Sequence, residues 1–154
     1  MSMQHKLVGV MIACMLAVVI PAWSATTWTG GAGTRDWFHA GNWSDGVPDL
    51  GTDVSIGLGA DILLTNETAQ IGMLDMTGGA LTFSNWHATA IATNIPISGG
   101  TVTLPPAFTN NEMSNRVWLV SSGDFLLADG AAIDVNGKGY AGGSPNEYGH
   151  GPGG

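Results

Sequence analysis

The chain has 154 residues, room for about one domain, and it is poor in charge: twelve acidic residues against four basic ones give a formal net charge of −8. A surface so short of lysine and arginine repels nucleic acid and anionic lipid, which are bound through clustered cations, and it fits poorly with acidic polysaccharides. Apolar residues make up 44% of the chain, too many for a disordered polymer, and the 24 glycines among many threonines point to short strands joined by glycine turns.

Residues 1–24 read as a signal peptide. MSMQHK supplies a short basic start with Lys6, LVGVMIACMLAVVI is an uninterrupted apolar run, and PAWSA ends it with a helix-breaking proline and small residues. Ala22 and Ser24 stand three and one before a cut at Ala25. A transmembrane anchor is the alternative, but the run is shorter than the roughly 20 residues a span requires. The expected location of the mature chain is therefore secreted, extracellular or on the cell surface, with cleavage between Ser24 and Ala25. Cys14, the one cysteine, leaves with the leader. A disulfide-free exported domain must be held by its own core or by neighbours. Loss of Lys6 leaves twelve acids against Arg35, Arg116 and Lys138, a formal charge of −9.

Residues 25–51 form a tryptophan-rich lead-in. Trp28, Trp37 and Trp43 fall close together, with Asp36, Asn42 and Asp45 beside them. Such a set supports two readings. Indole rings stack on the C–H faces of pyranoses while amides and carboxylates take hydroxyls, which makes Trp28, Trp37, Trp43 and Asn42 candidate carbohydrate ligands. Alternatively, bulky rings just ahead of a sheet cover its first edge, which would otherwise pair with other chains.

Residues 52–135 contain a repeat. The segments 52–64, 72–83, 93–104 and 116–127 each read as a short alternating strand, a small-residue turn with glycine, and a second short strand. Gly59, Gly79, Gly100 and Gly123 align at spacings of 20, 21 and 23, and so do Ile56, Met76, Ile97 and Val120. A strand this short buries only one face, so a single repeat has no interior, whereas stacked repeats share one. The expectation is an all-β fold, a right-handed parallel β-helix of about four coils of 20–23 residues; an antiparallel β-sandwich of hairpins is the alternative.

Residues 136–154 are glycine-rich. Nothing after Val135 would shield the upper edge of the last strand, AIDV, so the stretch is expected to be a loop in a chain that continues beyond residue 154. Asp134, Asn136 and Gly139 occupy positions one, three and six of a D-x-N-x-x-G pattern that resembles a calcium loop. Lys138 stands where position five should offer oxygen, and Glu147 falls fourteenth rather than twelfth. A strand end followed by an Asn-Gly turn explains the same residues. No cofactor is implied otherwise.

Catalytic patterns are absent from the sequence. His39, His87 and His150 lack zinc spacing and no G-x-S-x-G occurs. A coil could still bring Asp53, Asp75 and Asp124 together as a hydrolase pair, if two of them stood about 5–9 Å apart.

The stretch GVPDLGTDVSIGLGADILLTNETAQIGMLDMTGGALTFS resembles the eight-glycine domain of large extracellular proteins, through Pro48, Asp53, Val54, Ile56, Gly59, Leu64, Gly78, Gly79, Leu81 and Phe83. The lead-in TWTGGAGTRDWFHAGNWSDGVP resembles the start of autotransporter-like passenger regions of bacterial surface proteins. The histidine-containing stretch expected later in an eight-glycine domain is missing. These resemblances imply an exported β-helical structural or adhesive protein whose partners are neutral glycans or cell-surface proteins. The alternative is the amino-terminal part of a secreted polysaccharide hydrolase or lyase.

Overall fold

The structure, a computed structural model, describes residues 24–108 and 114–143. The leader, apart from Ser24, and residues 144–154 of the glycine-rich stretch lie outside the described residues. Within them the fold is all-β. The strands are β1 (Ala25–Thr27), β2 (Asp53–Ile56), β3 (Asp61–Leu64), β4 (Glu67–Phe83), β5 (Thr89–Thr103), β6 (Leu119–Ser121), β7 (Phe125–Leu127) and β8 (Ala131–Asp134). The one helical element described is a 3₁₀ turn at Ala40–Asn42.

The strands pair in parallel and stack in three columns. In the first, Val54 of β2 lies beside Leu74 of β4, Met76 beside Ile97 of β5, and Ile97 beside Leu127 of β7. In the second, Ile62 of β3 lies beside Leu81, Leu81 beside Val102, and Val102 beside Ile133 of β8. In the third, Ile71 lies beside Ala92 and Ala92 beside Ser121 of β6. The long strands β4 and β5 contribute to all three columns in turn, bending between them. Pairing of the strand backbones with the layer above or below satisfies donors and acceptors that could not be buried otherwise.

Alternation decides which residues enter the core. β2 has the burial pattern half-buried, buried, half-buried, buried, so Val54 and Ile56 point inward while Asp53 and Ser55 point out. The inward residues of all three columns meet in a single apolar cluster that includes Ile56, Met76 and Ile97 from the first column, Leu64, Leu81 and Phe83 from the second, and Ile71 and Ala92 from the third. Like residues sit on like: Ile56, Met76 and Ile97 form one inner row, each fully buried. The last layer differs, since Phe125, Leu127 and Ile133 continue these rows but remain 46%, 42% and 39% exposed.

Two expectations need correction. The antiparallel sandwich does not form, because all the ladders between the named strands are parallel. The repeat frame holds for the first three segments and slips in the fourth. Val120 lies beside Ile91, and the partner of Ile97 is Leu127. Spacings are 20 residues from Val54 to Leu74 and 21 from Met76 to Ile97, but 30 from Ile97 to Leu127. The added residues fall between Thr103, the end of β5, and Leu119, the start of β6.

The second column begins at a corner where glycine is required. Gly59, Gly79, Gly100 and Gly130 all have positive φ, between 74° and 91°, a region costing other residues about 1–2 kcal/mol. Gly130, not Gly123, is therefore the fourth corner residue. The corners also stack tightly: a Cβ on Gly100 would lie 2.5 Å from the carbonyl oxygen of Gly79, whereas one on Gly130 would meet nothing within 4 Å. Gly130→Ala is thus expected to cost only the conformational penalty, about 1–2 kcal/mol, and Gly100→Ala about 3 kcal/mol or more because two layers must part. Urea denaturation of the two variants checks this; equal losses would mean the corners do not stack.

Candidate functional site

The tryptophan-rich lead-in folds beneath the first complete layer. β1 pairs with β2, Thr26 lying beside Val54, and Trp37 N–H donates to the carbonyl of Leu63 at 3.1 Å. Asp36 forms a parallel bridge with Leu63, so Trp37 stands one layer below Leu64 and starts its inner row. Trp43 packs edge-to-face on both other rings, with centroids 5.0 Å from Trp28 and 4.8 Å from Trp37. Its Nε1 donates to the Trp37 carbonyl at 2.7 Å, inside the core. The Nε1 of Trp37 is the one buried side-chain nitrogen or oxygen without a hydrogen-bond partner among the described residues.

Asn42 ties the lead-in together. Its Oδ1 accepts from Ala32 N–H at 3.1 Å, and its Nδ2 donates to Thr34 Oγ1 at 2.8 Å and to the Asp36 carbonyl at 2.9 Å. A buried amide making three such bonds replaces the regular ladder that this irregular loop lacks. Three of the four candidate sugar ligands are therefore corrected by their burial. Trp37 and Asn42 are fully enclosed and Trp43 is 4% exposed, which leaves no face for a sugar ring. Trp28 alone stays half-buried and reaches solvent.

Trp28 lines a groove of about 490 Å³ at this end of the molecule. One wall is the loop from Thr27 to Arg35, and the other runs from Ser55 through Gly57, Leu58 and Gly59 to Asp61. Arg35 and Asp61 pair across it at 2.7 Å, and Arg35 also donates to Thr82 Oγ1 at 3.3 Å. The pair is half exposed, worth under about 1 kcal/mol to stability, but it neutralises both charges. Leu58 projects beside the groove, 96% exposed.

Asp134 Oδ1 accepts from Asn136 N–H at 3.0 Å, and Gly137 has φ of 64°, so the proposed calcium residues form a local turn. Glu147 lies outside the described residues, and no group of three or more His, Cys, Asp or Glu comes together among those described. His39 Nδ1 accepts from Gly41 N–H and caps the 3₁₀ turn. The parallel registers put Asp53 beside Met73, Met73 beside Asn94 and Asn94 beside Asp124. Asp53 and Asp124 are then three layers apart, about 14 Å at the usual strand spacing, beyond the reach of a hydrolase pair. Asp75, the register partner of Ser55, instead lies one layer up and two residues along from Asp53, about 8 Å away backbone to backbone.

Sequence reasoning missed one feature. The guanidinium of Arg116 lies between two indoles, 4.3 Å from the Trp86 ring and 3.6 Å from that of Trp118, while its Nε donates to the Trp86 carbonyl at 2.8 Å. This stack clips the segment leading into β6 onto the layer below. No spacing announces it, because Trp86 and Arg116 are thirty residues apart in the chain.

No family model, curated protein or solved structure matches this chain. The reading of its function therefore rests on the fold and on these residues.

Asn42→Ala removes the bonds to the Ala32 amide, the Thr34 hydroxyl and the Asp36 carbonyl, of which the Asp36 carbonyl alone keeps another donor, His39 N–H at 3.2 Å, and it empties a fully buried position. A loss of about 3 kcal/mol is expected, with amide exchange accelerated over residues 25–45 before the rest of the molecule opens. Uniform acceleration, or none, would show that Asn42 does not hold the lead-in.

Proposed function

We propose that this chain is an exported structural or adhesive protein, a right-handed parallel β-helix whose amino-terminal end is closed by the tryptophan lead-in and whose outer surface contacts neutral glycans or cell-surface proteins. The eight-glycine and autotransporter-like resemblances of residues 27–84 agree with this reading. The observation that carries it is the parallel stack itself: three columns of paired strands turn their alternate residues into one apolar cluster, with the rings of Trp37 and Trp43 at its amino-terminal end. Stacks of this kind extend by adding layers and present long, stiff outer faces, which suits a stalk.

Charge supports the same reading. Arg116 is held between two indoles and Arg35 is paired with Asp61. Of the three basic residues outside the leader, only Lys138 has no such partner among the described residues, so the surface offers little to an acidic polymer. Ala25, the expected first residue after cleavage, opens β1 and pairs directly with Asp53. A new terminus there would let the mature chain begin in the sheet.

The export element is tested by expressing the full chain in a Gram-negative bacterium and sequencing the amino terminus of the extracytoplasmic product. Cleavage before Ala25 is the expected result, with retention inside the cell when residues 7–20 are deleted. An uncleaved cytoplasmic chain would overturn the reading.

A further inference from the structure

We propose that the groove between the Thr27–Arg35 loop and the Gly57–Gly59 corner binds a neutral oligosaccharide. The proposal rests on the exported, glycan-contacting reading above and gives it a site, different from the tryptophan cluster as a whole because two of those three rings are buried.

Size and charge narrow the ligand. A volume of about 490 Å³ suits a small-molecule ligand. Arg35 and Asp61 are the charged residues lining it, and they satisfy each other at 2.7 Å. An anionic or cationic ligand would have to break that pair to find a counter-charge, so a neutral one is favoured.

Hydrogen bonding points to a polyhydroxyl compound. Thr27 and Ser55 are register partners on β1 and β2, and both side chains face outward. Thr29 and Thr34 already spend their hydroxyls on the Asn42 carbonyl and the Asn42 amide. The hydroxyls of Thr27 and Ser55 and the indole N–H of Trp28, by contrast, enter none of the hydrogen bonds formed among the described residues. Three unengaged polar groups thus stand together beside an aromatic surface. The ring of Trp28 is fixed by its edge-to-face contact with Trp43, so little side-chain freedom is lost when a pyranose packs on it.

The groove is also preformed. Gly30, Gly33 and Gly59 have φ of 64°, 69° and 81°, which sets the walls in conformations other residues avoid. A Cβ at Gly33, Gly57 or Gly59 would meet nothing within 4 Å, so these backbones face open space that a ligand can approach closely. An extended peptide is a poorer fit, since β1 and β2 already pair with each other here and Trp28 N–H donates to the Ser55 carbonyl at 3.0 Å, leaving no edge between them. Beyond the groove the outward row continues from Ser55 to Asp75 in the next layer. A sugar chain running across the strands would meet Thr27, Ser55 and Asp75 in turn, one every 4.8 Å or so, before Pro96 ends the polar row.

Gly57→Leu tests this without touching the core. It has no positive φ and nothing to clash with, so it fills the groove while the fold is retained. The full chain is titrated with cellohexaose, laminarihexaose and maltohexaose, with hexagalacturonate as the charged comparison, following tryptophan fluorescence and heat. Saturable binding of at least one neutral hexamer is expected. It should weaken about tenfold or more in Gly57→Leu, weaken in Trp28→Phe, and stay unchanged in Trp118→Ala, with the melting temperature of Gly57→Leu equal to that of the parent. No saturable binding to any neutral hexamer, equal binding by Gly57→Leu, or tighter binding of hexagalacturonate would overturn the site. Any of these in a chain that is exported and cleaved at Ala25 removes the site and leaves the structural reading standing.

Discussion

Neighbouring layers of this molecule are joined by one row of backbone hydrogen bonds, which fixes their separation at about 4.8 Å. The rest of the structure follows from holding that distance through every turn of the chain. Strands meet it with any side chain, because their Cβ atoms point into or out of the stack. Corners do not: where Gly100 passes over Gly79, a Cβ would collide with a carbonyl oxygen. The recurring glycine is thus required by both close approach and positive φ. The same spacing makes the core a set of rows, each side chain lying on its equivalent one layer away, as Ile56, Met76 and Ile97 do.

A stack of this kind has two ends, and they are treated differently. At the amino-terminal end, Trp37 is a rung of an inner row as well as a cover, since it lies under Leu64 and accepts the indole N–H of Trp43 at its carbonyl. Large rings there replace the missing layer, and Asn42 substitutes for the missing ladder. At the other end Phe125, Leu127 and Ile133 keep the inward alternation but stand partly in solvent, with the Trp86–Arg116–Trp118 stack at one margin. Covering one end with aromatic residues leaves a ring at the rim, Trp28, and that by-product of capping is what furnishes the groove. The proposed glycan contact is in this sense a consequence of how the first edge is protected.

Much of this was legible in the residues. Period-two alternation placed Val54, Ile56, Leu74 and Met76 inward, and the glycine spacing gave the correct frame through Gly100, because strand and corner chemistry repeat together. The frame failed at the fourth repeat for a definable reason. SSGD at 121–124 imitates a corner, while the true corner residue, Gly130, is displaced by the long stretch before β6. Spacing cannot reveal an insertion whose own ends resemble the repeat. The lead-in was recognisable as tryptophan-rich, but its two readings differ only in burial, and burial depends on which ring lies under which row. The pairing of Arg116 with two indoles, and of Arg35 with Asp61, depends on layers brought together from distant parts of the chain. Neither has a sequence signature.

The central claim is the parallel stacking of successive repeats, and through-hydrogen-bond scalar couplings in NMR report it directly. The amides of Gly72, Ala80 and Ser84 should couple to the carbonyls of Thr52, Ala60 and Leu64, their partners at 2.9, 2.8 and 2.9 Å. These partners lie one layer away, in the preceding repeat. Couplings confined within a repeat, across its own glycine turn, would mean that the strands fold back as antiparallel hairpins and would contradict the account.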